Sequence, residues 1–177
     1  VLLVLLIWGV ALFNMLVRLR NHCREAWAGI DTELKRRYDL VPNLVETVKG
    51  YARHEASLFE RVTEARTRAI ASEGSPGSQA SDENQLVESL KRLLLVVENY
   101  PELKANRHFL ELQKELSNTE DRIQAARRFY NANVRDFNTR SEVFPSNLVA
   151  GLFGFKQEEF FEIQSAVERA AQVVRMP

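Results

Sequence analysis

Three histidines, His22, His54 and His108, and one cysteine, Cys23, are the residues of this chain best suited to hold a metal or act as nucleophiles. A metal site on one helix face needs a second ligand three or four residues away. No histidine here has another at that spacing. His54-Glu55 opens as a zincin motif does, but the second histidine is missing. The chain shows neither a glycine loop of phosphate-binding form nor a serine on a nucleophile elbow. Cys23 shares a helical register with Trp27, which suits packing better than catalysis. As the only cysteine it can form no internal disulfide. These residues predict no catalytic group, no metal and no cofactor.

Two polar constellations remain. Asn131, Arg135 and Asn138 share one helical stripe, beside the apolar stripe of Tyr130, Val134 and Phe137. The stripe reads either as a solvated face or as a polar network between two long helices, in which Asp39 pairs with Arg135. Arg36 and Arg37 read as a solvated pair. A basic patch facing lipid headgroups is the other reading of that pair.

With 24 basic and 24 acidic side chains the formal net charge is zero, so no global basic field draws in nucleic acid. Locally the balance is uneven. Residues 1–17 carry no charge and one polar residue, Asn14. A membrane span needs about 20 apolar residues, with about 17 as the lower limit. The chain does not open on methionine, so further residues are expected upstream. A cleaved signal peptide would show a small-residue cleavage site where Arg18 and Arg20 stand. In a chain of 177 residues a core helix keeps a polar face, whereas a segment apolar all round suits a membrane span. Residues 1–19 are therefore expected to be a transmembrane anchor, with Leu2, Leu3, Leu5, Leu6, Trp8, Leu12, Phe13 and Leu16 meeting lipid. Arg18, Arg20 and Arg24 place the remaining chain, 20–177, on the cytoplasmic side by the positive-inside rule.

Beyond the anchor, Cys23, Trp27, Ile30, Leu34, Tyr38, Val41, Val45, Val48 and Ala52 recur in steps of three and four, the seam of a long helix. The seam runs through Pro42 and predicts one helix bent there, ending near Ala71; a new helix capped by Asp39 is the alternative. Residues 72–83, rich in Ser, Gly and acid, predict a flexible connection. Leu86, Leu90, Leu93 and Val97 predict a short helix that Asn99-Tyr100-Pro101 ends. Leu112, Leu116, Thr119, Ile123, Ala126, Tyr130, Asn133 and Phe137 predict a second long helix over 102–143. Phe160, Ile163, Val167 and Val174 predict a last amphipathic one, its start favoured by Glu158 and Glu159. No strand pattern occurs. The expected fold is all-α: a transmembrane helix continuing into an elongated antiparallel four-helix bundle with two long and two short helices.

Residues 144–161 hold five of the ten phenylalanines, broken by Gly151 and Gly154. Matching the two long seams antiparallel places Arg135 beside residues 37–39, Phe144 beside Trp27, and this stretch at the membrane-proximal end. Phe144, Leu148, Leu152, Phe153 and Phe155 then cap the bundle's own core, meet lipid, or meet a neighbouring protomer. The placement favours lipid or a protomer.

The stretches 36–55 (RRYDLVPNLVETVKGYARHE), 100–106 (YPELKAN) and 130–155 (YNANVRDFNTRSEVFPSNLVAGLFGF) resemble the LemA family of bacteria. The resemblance covers almost the whole chain. It implies a single-pass inner-membrane protein with an antiparallel helical bundle and no established enzyme activity. It also implies envelope roles that include magnetosome formation, with some relatives encoded near a membrane metalloprotease. The expected function is a non-enzymatic membrane-anchored scaffold or adaptor that binds lipid and forms homo-oligomers. The alternative is an accessory subunit of an envelope membrane protease.

Overall fold

The computed structural model describes residues 2–163. Among them are six helices and no strand: α1 Leu2–Lys49, α2 Ala56–Ala71, α3 Pro76–Val97, α4 Pro101–Lys104, α5 Arg107–Glu142 and α6 Ser146–Leu152. The fold is all-α, as the periodicity predicts. α1 runs unbroken through Pro42. Of its seam residues, all but the half-buried Trp27 are buried, and the α3 seam of Leu86, Leu90, Leu93 and Val97 is buried throughout.

Helix ends follow local chemistry. Ser75 caps α3, with Pro76 opening the helix, where its missing N–H costs nothing. Asn106 caps α5, its side-chain oxygen accepting from the Phe109 amide at 3.0 Å. α1 stops at Lys49, before Gly50 and a turn that carries buried Ala52. The long first helix therefore ends well before Ala71, and α2 is a separate element packed on α1 and α3. Helix α3 begins at Pro76, so the non-helical connection is residues 72–75 rather than 72–83.

α1 packs along α5, and three contacts set their antiparallel register. Asn106 Nδ2 donates to the Tyr51 hydroxyl at 3.0 Å, joining the end of one helix to the start of the other. Farther along, Arg37 meets Glu120. Ten residues back on α1 and ten ahead on α5, the Trp27 and Tyr130 rings lie 5.2 Å apart. This register differs from the expected one by about 15 residues, or about 22 Å at a rise of 1.5 Å per residue. The cause is the early stop of α1: matching from Tyr51 rather than from Ala71 slides α5 toward the N-terminal end of α1. Asp39 accordingly shares a surface groove with Asn118 and Arg122. Arg135 lies about two dozen ångströms away along the helix axis and is exposed. The Asp39–Arg135 pair does not form.

After α6 the chain runs to Ile163 without helix. The expected last helix is therefore absent at Phe160 and Ile163, while Val167 and Val174 lie outside the described residues.

Candidate functional site

Three features gather at and above the N-terminal end of the bundle. The first is apolar. The opening turns of α1 are long and apolar enough to cross a membrane. Leu2, Leu3, Leu5, Leu6 and Trp8 are exposed, Leu12 and Phe13 half-buried, and Leu16 fully buried within the chain's own fold. Leu16 thus faces inward rather than toward lipid. α6 packs against both α1 and α5 at this end. Its last turn is closed by a Schellman cap, in which the Phe155 amide bonds the Ala150 carbonyl at 2.9 Å and Gly154 takes φ of +67°. Gly154 alone supplies the left-handed residue; Gly151 sits in ordinary helix. The reversal sorts the neighbouring rings. Phe155 turns inward, edge-on to Phe13 at 5.7 Å and Phe137 at 6.3 Å, with the Arg20 guanidinium 5.0 Å over its face. Phe153 stays outside, 4.7 Å from Phe13 and 58% exposed. Phe144, Leu148 and Leu152 are exposed as well. Of the five interface candidates, only Phe155 is packed against the core, and Phe153 touches Phe13 from outside.

The second feature is a strap, residues 156–163, held along α5 by side-chain amides. Asn138 donates to the Glu158 carbonyl and accepts from the Glu158 amide, both at 2.9 Å. Asn131 does the same for Phe161, at 3.0 and 2.9 Å. Arg127 reaches the Ile163 carbonyl at 2.6 Å, and the Tyr130 hydroxyl donates to the Glu159 carbonyl at 2.9 Å. The spacing is a matter of rise. Seven helical residues advance about 10.5 Å, and three extended residues advance about 10 Å. Four helical residues from Arg127 to Asn131 likewise match two extended ones from Phe161 to Ile163. Each asparagine therefore offers one donor and one acceptor to an antiparallel chain, as a neighbouring strand would. Phe161 and Ile163 are buried by this hold, Phe161 edge-on to Trp27 at 5.2 Å. Asn131 and Asn138 form a polar network with the strap, not with α1, and Arg135 is outside it. Beneath the strap, burial pushes the Cys23 thiol up from 9.0 to about 11, with Glu158 adding to the rise. The thiolate is disfavoured there, and Cys23 acts as a packed apolar group.

The third feature was not legible as such from the sequence. Arg37 is fully buried, not solvated. It bonds Glu120 of α5 at 2.8 Å and also Glu83 of α3; the Tyr38 hydroxyl donates to Glu83 and lies 3.4 Å from the Ala69 carbonyl of α2. Burial alone would lower the Arg37 pKa, but the charges of Glu120 and Glu83 outweigh it and hold the guanidinium above its usual range. Burial raises Glu83, against the opposing pull of Arg37 and the Tyr38 hydrogen bond. Burial also raises Tyr38, and the Glu83 charge adds to it. The cluster ties four helices into one register, because a shift would strand a charge in the core at a cost of several kcal/mol. Arg36 next door is exposed. The seam position of Arg37, between Leu34 and Val41, is the sequence signal that distinguishes the two.

Among the described residues no group of three or more His, Cys, Asp or Glu side chains is placed to hold a metal. A family model described as LemA family matches residues 26–175. Magnetosome protein MamQ 2 of Paramagnetospirillum magneticum is 26% identical over 181 residues, covering 87% of this chain and 66% of the relative. Protein LemA of Metamycoplasma hominis is 28% identical over 156 residues, covering 88% of this chain and 71% of the relative. Magnetosome protein MamQ of Magnetospirillum gryphiswaldense is 24% identical, with 87% and 66% covered. The chain thus spans just under two thirds of the length of these MamQ relatives.

Proposed function

The chain belongs to the LemA family, and we propose that it is a non-enzymatic, membrane-anchored helical scaffold or adaptor of the bacterial envelope that assembles with copies of itself. The observation that supports this most is the continuity of α1. One helix of 48 residues begins in exposed aliphatic side chains and ends in the packed core. At 1.5 Å per residue it is a shaft of about 72 Å, with no joint between anchor and bundle. Such a shaft fixes the height and tilt of the helical domain over the bilayer, which suits a platform. Copies confined to one membrane meet at high effective concentration, so weak lateral contacts suffice for assembly. Arg18, Arg20 and Arg24 at the end of the apolar segment support an inner-membrane protein with its bundle in the cytoplasm. The relatives' names denote no reaction, and the magnetosome proteins among them favour a part in building cellular structure.

Crosslinking in native membranes tests this, followed by purification in mild detergent and mass measurement. A ladder of homo-oligomers is the expected result. A foreign band of fixed stoichiometry would replace the scaffold with the second reading, an accessory subunit of an envelope membrane protease. A monomer with neither band overturns both.

A further inference from the structure

We propose that α6 and its flanking rings form a second membrane contact, a short wedge seated at the headgroup–acyl boundary of the bilayer that α1 crosses. The inference rests on the reading of α1 as a membrane span.

Placement comes first. Phe13 of α1 touches both Phe153 and Phe155. Phe13 stands five residues before Arg18, the first charge in the chain, so it lies about 7.5 Å inward of that charge along the helix. Interfacial helices bury their apolar faces about 5–10 Å into the same boundary. If α1 spans, α6 sits at that depth with it.

Composition agrees. No residue from Val143 to Phe155 is charged, while Glu142 and Lys156 flank the stretch. Leu148 and Leu152, one helical turn apart, share the outward face, and Phe144 and Phe153 extend it. This face meets α1 at Phe13, one helical turn from Val10, the last of the exposed large apolar side chains that begin at Leu2. In water it would be an association liability; against the span it prolongs one lipid-facing surface.

The backbone is also prepared. Irregular chain is excluded from lipid unless its polar groups are satisfied within the protein. The Schellman cap closes the C-terminal end of α6. At the other end, the Ser146 hydroxyl bonds the Arg140 carbonyl at 2.6 Å and the Val143 carbonyl at 3.0 Å, and the Asn147 amide bonds Val143 at 2.9 Å. Arg20, over the Phe155 ring, stands where a cation reaches the headgroups.

The test uses the full chain in phosphatidylcholine vesicles that carry bromine near the headgroup end of one acyl chain, bromine near its methyl end, or none. Trp8 and Trp27 are the native tryptophans, and Trp27 is packed against Tyr130 and Phe161. The Trp8→Phe chain gives the baseline of Trp27, and the unsubstituted chain reports Trp8 in the span. Trp8→Phe with Leu152→Trp reports the wedge, and Trp8→Phe with Phe153→Trp is a second reporter should the first misfold. The emission added at 152 or 153 should fall by about half in vesicles brominated near the headgroup end, as for a side chain at the interface. Trp8, ten residues and about 15 Å inward of Arg18, should be quenched by bromine at the methyl end; if it escapes there, the span itself is wrong and the wedge falls with it. If Trp8 is quenched while 152 and 153 are not, the wedge alone is overturned. A Leu148→Cys disulfide between copies, with that same protection, would assign the face to a second protomer instead.

Discussion

The Arg66 side chain of α2 donates through Nε to the backbone carbonyl of Tyr38 on α1 at 2.7 Å. In a regular helix that carbonyl accepts from the residue four positions later. Here that residue is Pro42, which has no N–H. A cation from the neighbouring helix thus takes the acceptor the proline leaves open, and α1 continues through a residue that costs about 3 kcal/mol in a helix interior.

This relation predicts coupling between two residues on different helices. Arg66→Ala should destabilise the protein by about 1–3 kcal/mol, the cost of an unpaired part-buried acceptor. Pro42→Ala restores the missing N–H, so Arg66→Ala should cost about 1 kcal/mol less in that background. Denaturant unfolding in mild detergent measures both. An equal cost in the two backgrounds would show that Arg66 works through some other contact.

The two long helices were legible because periodicity is a local property: the seam from Cys23 to Val48 and that from Leu112 to Phe137 each follow from spacing alone. Their register was not, because it depends on where α1 stops, and Ala52 continues the seam past Gly50 while lying in a turn. Arg37 stands at a seam position and Arg36 does not, but spacing alone does not say that a seam charge has partners on other helices. Glu83 carried no sign of its partner, since Arg37 is 46 positions away. Asn131 and Asn138 showed a shared face two turns apart, but what they bind is main chain, which has no sequence signature. The wedge was visible as an oddity, a phenylalanine-rich stretch without charge, and its neighbour Phe13 became identifiable only with the register.

Glu83 makes stability depend on pH. Burial, the largest influence, raises its pKa above the ordinary 4.5, while Arg37 and Tyr38 pull the other way. The folded chain therefore holds this proton more tightly than the unfolded one. Its contribution is fully present below pH 4.5 and is lost as pH rises through the raised value. Glu83→Gln should flatten that decline, gaining on the unsubstituted protein as pH climbs from the acid side to neutrality. The amide can be accommodated because the Tyr38 hydroxyl has the Ala69 carbonyl as another acceptor at 3.4 Å. Arg37→Met should instead cost about 3–5 kcal/mol by leaving buried carboxylates unpaired. Parallel pH profiles for Glu83→Gln and the unsubstituted protein would contradict this account.

Asn131 should hold the strap through both functions of its amide. Asn131→Asp keeps the acceptor for the Phe161 amide but sets a carboxylate against the Phe161 carbonyl. Asn131→Ala removes both bonds, at about 1–3 kcal/mol. Hydrogen exchange at the Phe161 amide should accelerate strongly in the alanine variant, and the aspartate should fail to restore full protection of the strap. Unchanged exchange in both variants would mean that Phe161 packing against Trp27, rather than the amide ladder, holds the segment.

Phe153 and Phe155 are two residues apart and should behave differently. Gly154 turns the chain between them, so Phe155 packs on Phe13 and Phe137 while Phe153 keeps 58% of its surface exposed. Deleting a fully buried phenylalanine costs about 3–5 kcal/mol, and the half-buried Phe155 should cost about half of that as Phe155→Ser. The variant should also lose the Arg20 contact over the ring, worth about 0.5–1 kcal/mol at an exposed site. Phe153→Ser should cost less in detergent, about 0.5–1.5 kcal/mol, chiefly its ring contact with Phe13. Gly154→Ala should resemble Phe155→Ser, because an alanine at φ of +67° is strained and the ring can no longer be turned inward without cost. Denaturant unfolding of the three variants side by side checks the sorting. A Phe153→Ser chain destabilised as much as Phe155→Ser would place both rings in the core and remove the lipid-facing surface from α6.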